Sequence, residues 1–165
     1  METCGENAMD VDALRKIRCV ADYQFGKGVG ARLFPDAVKI VYSKNTGKIR
    51  HIHLNEELLA TLRPTTGLFA LTITGAKRLV STANSTPYWV KVHIDVEPFV
   101  AKGRSAFAKH VIEADPEIRP QDEVMVVNSR NEVLAVGRAL LSGTEMKAFS
   151  RGIAVRVRHG VTEKS

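Results

Sequence analysis

Cysteine is scarce in this chain: Cys4 and Cys19 are the only two in 165 residues, and neither has a companion at metal-ligand spacing. A disulfide framework and a zinc site are therefore not expected, and Cys19, at a helical position, is expected to be a small buried apolar residue. No apolar run approaches the ~20 residues that a membrane-spanning helix needs. The opening METCGENAMD is acidic and polar, whereas a secretory leader is basic and then apolar. A cytoplasmic location with no membrane partner follows as an expectation. Also missing are a recognisable serine, histidine and carboxylate set, paired carboxylates and the Walker pattern. The glycine-rich stretch ADYQFGKGVG (21–30) follows no strand, so it does not read as a nucleotide loop. No catalytic group, metal or cofactor is indicated.

What the chain does have is positive charge. A formal net charge of +6 and a pI near 9.5 favour a polyanionic partner through steering and counterion release. The excess is spread over both halves, yet between residues 138 and 159 Arg138, Lys147, Arg151, Arg156 and Arg158 face only Glu145. Within that stretch IAVRVR (153–158) has a period of two, which turns Ile153, Val155 and Val157 to a core and Arg156 and Arg158 outward. Just before it, GTEMKAF (143–149) reads as one or two helical turns with Thr144 as N-cap, ended by Gly152. By pattern alone this is equally the solvated face of a small barrel and a nucleic-acid surface.

In chain order, residues 1–9 are expected to be a disordered tail. Val11, Leu14, Ile17 and Ala21 then fall at helical spacing up to about Phe25, where Gly26 and Gly28 stop the helix. After Pro35 the period changes to two. Val38, Ile40 and Tyr42 lead through the turn residues Asn45, Thr46 and Gly47 into a second arm, IRHIHL (49–54). Further strands are expected at 58–62 and 68–74, with a short helix at 75–79. One helix against a meander of strands makes a small α+β unit. His51 and His53 share one strand face, but no third ligand is near in sequence, so they read as surface histidines. STANSTP (81–87) is small, polar and ended by proline, which marks the boundary between domains at 10–86 and 87–165.

The second unit opens with an alternating strand, 88–96, in which Val90, Val92, Ile94 and Val96 form the apolar face. A turn of helix at 98–102, a mixed segment at 106–112 and a hairpin joining 124–127 to 133–136 follow. Short strands at regular spacing, broken by brief helices, indicate a closed antiparallel barrel.

The motifs FVAKGRSAFAKHV (from Phe99), IRPQDEVMVVN (from Ile118) and VLAVGRALLSGTEM followed by RGIAVRVRHG carry a resemblance of the second unit to the PUA domain, the small RNA-binding barrel, and the last two stand in that family's order and spacing. In the first unit ADYQFGKGVGARLFP, SKNTGKIRHI and LLATLRPTTGLFALTITGAKRL are similar to the domain preceding PUA in the archaeosine-forming tRNA-guanine transglycosylase. The resemblance covers roughly residues 14–159. It implies an α+β chain, an N-terminal helix packed on a small antiparallel sheet followed by a PUA β-barrel. The full family enzyme also carries a catalytic barrel and a cysteine-rich zinc site, for which this chain has no room.

What the resemblance implies is therefore a non-catalytic protein that binds tRNA or another structured RNA, a detached subunit or helper for archaeosine tRNA modification, with a separate transglycosylase catalytic chain as partner. The alternative is a translation or ribosome-associated PUA factor. The residues expected at the RNA are Lys102, Gly103, Arg104 and Ser105, where a glycine lets backbone approach a phosphate while its neighbours supply charge and a hydroxyl, together with Lys109, Arg151, Arg156 and Arg158. Arg63 in LRPTTG is implied to touch the D-arm of the tRNA, which the family opens so that the target guanine reaches the enzyme. Phe149 and Trp89 fall where an apolar side chain closes a core, so burial is expected of both in place of stacking on a base.

Overall fold

The computed structural model describes residues 4–82 and 87–163; the first three residues of the expected tail and the middle of the expected linker lie outside them. Contacts along the chain divide it into two units, residues 1–70 and 71–165.

Helical spacing near the start of the chain produces α1 (Cys4–Phe25), which begins inside the stretch expected to be a tail. Its buried line is Ala13, Ile17, Ala21 and Phe25, one residue per turn on a single face. Two expectations are corrected by that phase. Val11 is 57% exposed and Cys19 is exposed, because both fall on the flank of the helix that the core does not reach. At Gly26 and Gly28 the backbone has positive φ and the helix ends, but the glycine-rich stretch that follows is not loop throughout: α2 (Val29–Leu33) returns against α1. Gly30 makes that return possible, since a Cβ there would stand 2.2 Å from the Arg18 carbonyl oxygen. The corner is pinned by Asp22 accepting from the Gly30 amide (2.7 Å) and by Arg18 donating to the Phe34 carbonyl and to Asp36, both at 2.9 Å.

The first sheet is the expected meander, β1 (Lys39–Tyr42), β2 (Ile49–Leu54), β3 (Glu57–Leu62) and β4 (Phe69–Leu71), hydrogen-bonded in chain order. Ile52, Leu59, Ala60 and Phe69 join Leu33 and Phe34 in the core, with the rings of Phe34 and Phe69 5.1 Å apart. Gln24 of α1 exchanges two hydrogen bonds with the Phe69 backbone, at 2.7 and 2.8 Å. The fourth strand is shorter than its pattern suggests. Thr72 receives the Gly75 amide on its side chain and the Ala76 amide on its carbonyl, which starts α3 (Ile73–Thr82) where a strand was expected to continue.

The second unit is a nearly closed, barrel-like sheet of six strands: β5 (Trp89–Val92), β6 (Ala106–Phe107), β7 (Val111–Ala114), β8 (Glu123–Val127), β9 (Val133–Ala139) and β10 (Ile153–Gly160). Their order is β6-β10-β9-β8-β5-β7, antiparallel except for the parallel pair β5 and β8. Two short helices, α4 (Glu97–Ala101) and α5 (Gly143–Ala148), interrupt the strands, and α3 packs on β9. The barrel core is small and aliphatic, with Val90, Val92, Val124, Val126, Ala135, Val155 and Met146 at its centre. The expected strand 88–96 stops after Val92. The His93 side chain accepts from the Asp95 amide and caps a 3₁₀ turn, leaving Ile94 68% exposed. The N-cap of α5 is Ser142 and not Thr144: Ser142 and Glu145 form a reciprocal capping box that satisfies two otherwise unpaired amides. Hydrogen bonding from Ser142, its backbone amide first and then its side chain, holds the Glu145 carboxyl below its ordinary pKa.

Replacing Gly30 by Ala forces backbone against backbone, and we expect a loss of about 1–3 kcal/mol or more, read as a lower midpoint of urea unfolding. Acid gives a second test. Because the folded-state pKa of Glu145 is depressed, its stabilising contribution is present above the unfolded carboxylate pKa and is lost as pH falls through the folded one. The E145Q variant should show a flatter loss of thermal midpoint over that acidic window.

Candidate nucleic-acid interface

The last strand organises the site. β10 lies between the short edge strand β6 and the central strand β9. Ile153 is opposite Phe107 and Val155 opposite Ala106 on the β6 side, and the Ala108 amide bonds to the Gly152 carbonyl (2.9 Å). At its other end β10 passes beneath the turn after α4, so closely that a Cβ on Gly160 would lie 2.3 Å from the Ala101 carbonyl oxygen. The segment 102–105 therefore runs antiparallel along the outer side of β10. This backbone arrangement brings Lys102, Gly103, Arg104, Ser105, Lys109, Arg151 and Arg156 to one edge of the sheet. Lys102, Arg104, Lys109, Arg151 and Arg156 are exposed; Gly103 and Ser105 are half-buried.

Two parts of the sequence reading change. Gly103 does not offer its backbone to a ligand. Its amide bonds to the Val100 carbonyl (2.9 Å) and that of Arg104 to the Phe99 carbonyl (3.1 Å). The glycine is needed for the turn itself, with φ +101° and the Glu163 carboxylate 3.2 Å from where a Cβ would be. Arg158 is the second correction. Its guanidinium donates to both carboxylate oxygens of Glu123, to Oε1 at 2.9 Å and more closely to Oε2, and to the Leu71 carbonyl at 2.6 Å. The Glu123 side chain is 4% exposed. A cation held by a buried carboxylate is not available to an external anion, so Arg158 belongs to the framework of the second unit.

Arg156, two residues earlier, has the opposite situation. It stands directly across from Arg138 on β9, and both are exposed. On its other side Arg138 is in register with Glu123, whose carboxylate is already taken by Arg158 and the Leu71 amide. Gln121, which accepts from Arg138 at 3.3 Å, is the polar side chain that meets this pair. Like charges directly opposite on a sheet destabilise it, and an incoming anion would relieve that repulsion. Gly137 lets the two strands close here, since a Cβ on it would be 2.2 Å from the Arg156 carbonyl oxygen. Among the described residues no ion pair uses Lys102, Arg104, Lys109, Arg151 or Arg156.

Sequence reasoning missed the aromatic part of this edge. Phe149, expected in the core, is 45% exposed, and so is Phe107. α5 packs against the turn that carries Lys109 and His110, so Phe107, Lys109, Phe149 and Arg151 are brought together near the β6 edge. Phe107 meets His110 edge to face, ring centres 6.3 Å apart. Cations interleaved with exposed rings are the composition of a single-strand RNA surface, and the signal was in the sequence: FSRG follows the α5 helix directly, leaving Phe149 no strand to occupy. Trp89 is half-buried with the Lys91 ammonium 5.4 Å from its ring centre. Arg63 is half-buried at the turn between β3 and β4, its amide bonded to the Leu68 carbonyl. Among the described residues no group of three or more His, Cys, Asp or Glu side chains converges as a metal site would need, and no helix is long and apolar enough to cross a membrane.

Comparison with known proteins also divides the chain in two, with the boundary between residues 85 and 88. Residues 15–85 match the family model described as the patch-forming domain C2 of tRNA-guanine transglycosylase, and residues 88–161 match the PUA domain. The chain is 47% identical over 156 residues to a tRNA-guanine(15) transglycosylase of Methanothermobacter thermautotrophicus, covering 94% of this chain and 24% of the relative. It is 46% identical over 153 residues to that of Pyrococcus furiosus, covering 93% and 26%. It thus spans about a quarter of the length of these curated relatives. A hypothetical protein from Pyrococcus horikoshii OT3 shares the fold, with a TM-score of 0.74, 24% identity and coverage of 92% of this chain and 91% of that one. A conserved PUA domain protein from Thermoplasma acidophilum does so with a TM-score of 0.66 at 19% identity, covering 94% and 92%.

Replacing Arg158 by Met strands the Glu123 carboxylate, and we expect a cost of about 3–5 kcal/mol. Replacing both residues by apolar ones should recover much of it. A double-mutant cycle on the unfolding midpoint measures the difference; a single substitution without effect would remove Arg158 from the framework.

Proposed function

From a PUA-domain protein that resembles the C-terminal, C2-plus-PUA region of the archaeal tRNA-guanine transglycosylases, we propose a non-catalytic tRNA-binding protein: a detached subunit or helper of archaeosine modification that works with a separate transglycosylase catalytic chain. The observation that carries this reading is the edge of the second sheet, where Lys102, Arg104, Lys109, Arg151 and Arg156 are all exposed and Arg156 is directly opposite another exposed arginine, Arg138. Charge arranged in this way suits phosphates, which position an RNA without reading its sequence. The deep major groove of A-form RNA excludes side chains, so such a surface works through backbone contour and through unpaired segments. Phe107 and Phe149 supply apolar faces for the latter.

That these relatives are tRNA-guanine(15) transglycosylases, of whose length the chain matches about a quarter, supports the modification setting. Catalysis by this chain alone is not part of the proposal. Among the described residues no group of three or more His, Cys, Asp or Glu side chains converges, and the shared region is the C2-plus-PUA part of the relatives.

Salt gives the first test. If about six phosphates are neutralised, tRNA affinity should fall roughly a thousandfold between about 50 and 200 mM salt; an affinity indifferent to salt would end the proposal. Charge reversal gives the second. R104E with R156E should weaken tRNA binding strongly, while the unfolding free energy stays within about 0.5 kcal/mol of wild type or rises, because the carboxylate introduced on β10 would face Arg138. Purification from native extract with a transglycosylase chain would support the helper role, whereas recovery with small ribosomal subunits and no modifying enzyme would replace it with a ribosomal one.

A further inference from the structure

The histidine pair on β2 is the one motif of the sequence that the tRNA reading leaves unused. Strand register places it in company. Lys39 of β1 is directly opposite His53, and Thr61 of β3 directly opposite His51. These four residues therefore share the face of the first sheet turned away from Ile52 and Ala60, which pair with each other on the buried side. The two imidazole rings are 6.2 Å apart, edge to face, and His51 Nδ1 is 3.2 Å from Thr61 Oγ1. Lys39 and Tyr42 are exposed on β1, while His51 and His53 are half-buried and open to solvent.

Most of the charges around this face are positive, although Asp36, ion-paired with Arg18, lines one groove with Lys39. Arg50 lies between Ile49 and His51, and Lys44 and Lys48 stand exposed on the turn from β1 to β2. Glu56 and Glu57 are the carboxylates nearest in these strands; they sit at the opposite turn, with Glu57 across from Leu54. No metal is expected here, since two histidines without a third ligand make a poor cation site and the neighbours are cations.

We propose that the outer face of the first sheet, built on Lys39, His51 and His53, is a second phosphate-binding surface for the RNA backbone, and that it takes up protons as it binds. This deepens the tRNA reading and rests on it. Partial burial, then the positive charges of Arg50 and His53, lower the pKa of His51 from its ordinary value. The free protein therefore keeps that ring neutral at pH values where an isolated histidine is partly charged. The sign follows directly. A depressed histidine pKa means stability present above the unfolded value and lost as pH falls toward the folded one. A phosphate placed between Lys39 and the two rings reverses the balance, because it favours the imidazolium and offsets the repulsion from Arg50. Binding then strengthens as pH falls, by up to about tenfold for each histidine whose pKa rises by one unit. Thr61 keeps the His51 ring oriented in either protonation state, since its hydroxyl both donates and accepts.

The test is tRNA affinity by fluorescence anisotropy at constant salt, at about pH 6 and about pH 8 where histidine titrates, for wild type and for H51Q with H53Q. Wild type should bind roughly tenfold or more tightly at the lower pH, and the double variant should lose that dependence while keeping its thermal midpoint at the higher pH. A dependence that survives in the double variant would assign the protons to His93, His110 or His159 and overturn the proposal, as would a wild type that binds equally at both pH values. In both cases tRNA binding itself stands, and its salt dependence shows that. Absence of tRNA binding at any salt would defeat the broader reading instead. A titration of the imidazole proton resonances with inorganic phosphate separates the sources. The RNA proposal expects weak shifts with free phosphate and strong ones with RNA; equal shifts at equal concentration would make this a free-phosphate site and sink it.

Discussion

One buried carboxylate holds the second unit in register. Glu123 begins β8 with almost no solvent around its side chain, and it accepts from the Leu71 amide at 2.5 Å and from the Arg158 guanidinium. Arg158 in turn donates to the Leu71 carbonyl. Charge, backbone donor and backbone acceptor are thus satisfied in one closed set, the condition under which a buried ion is tolerated. Arg156, two positions earlier in the strand, stands exposed opposite Arg138.

The cationic edge depends on close approaches of backbone as much as on charge. Gly137 and Gly160 lie where β10 meets β9 and the turn after α4, and at both places a side chain would collide with a carbonyl oxygen. Without those contacts the segment 102–105 would not run beside β10, and its cations would be separate surface charges. Exposed pairs and isolated lysines contribute little to a fold; in the proposed function their value is collective, as a surface on which a polyanion would exchange its counterions. On that reading the two units would differ: the second presents permanent charge, arginine and lysine, whereas the first presents a lysine beside two histidines.

Local chemistry was legible where one residue type dictates one outcome. The end of α1 at paired glycines, the turn at Asn45 to Gly47, the hairpin between β8 and β9 and the alternating strand of β10 all follow from turn residues and period, and each is present. Apolar runs without punctuation were less legible. The stretch 68–74 divides into β4 and α3, and the stretch 88–96 into β5 and a 3₁₀ turn, because side-chain caps from Thr72 and His93 end the strands. Period alone cannot see a cap made by a residue that also suits a strand.

For the candidate site the same boundary applies. Sequence determined which residues carry charge, that the last strand has a cationic face, and that the chain divides into a small α+β unit and a barrel of PUA type. Tertiary structure alone decided which of those charges remain free. Arg156 and Arg158 are indistinguishable in the pattern IAVRVR, yet one lies across from another arginine and the other is taken by Glu123, thirty-five positions away in sequence. Cys19 and Phe149 were likewise assigned to the core by type and emerged on the surface by phase. Alternation specifies the side of a strand a residue faces, while the partner waiting on that side comes from a distant part of the chain and is known only when the chain has folded.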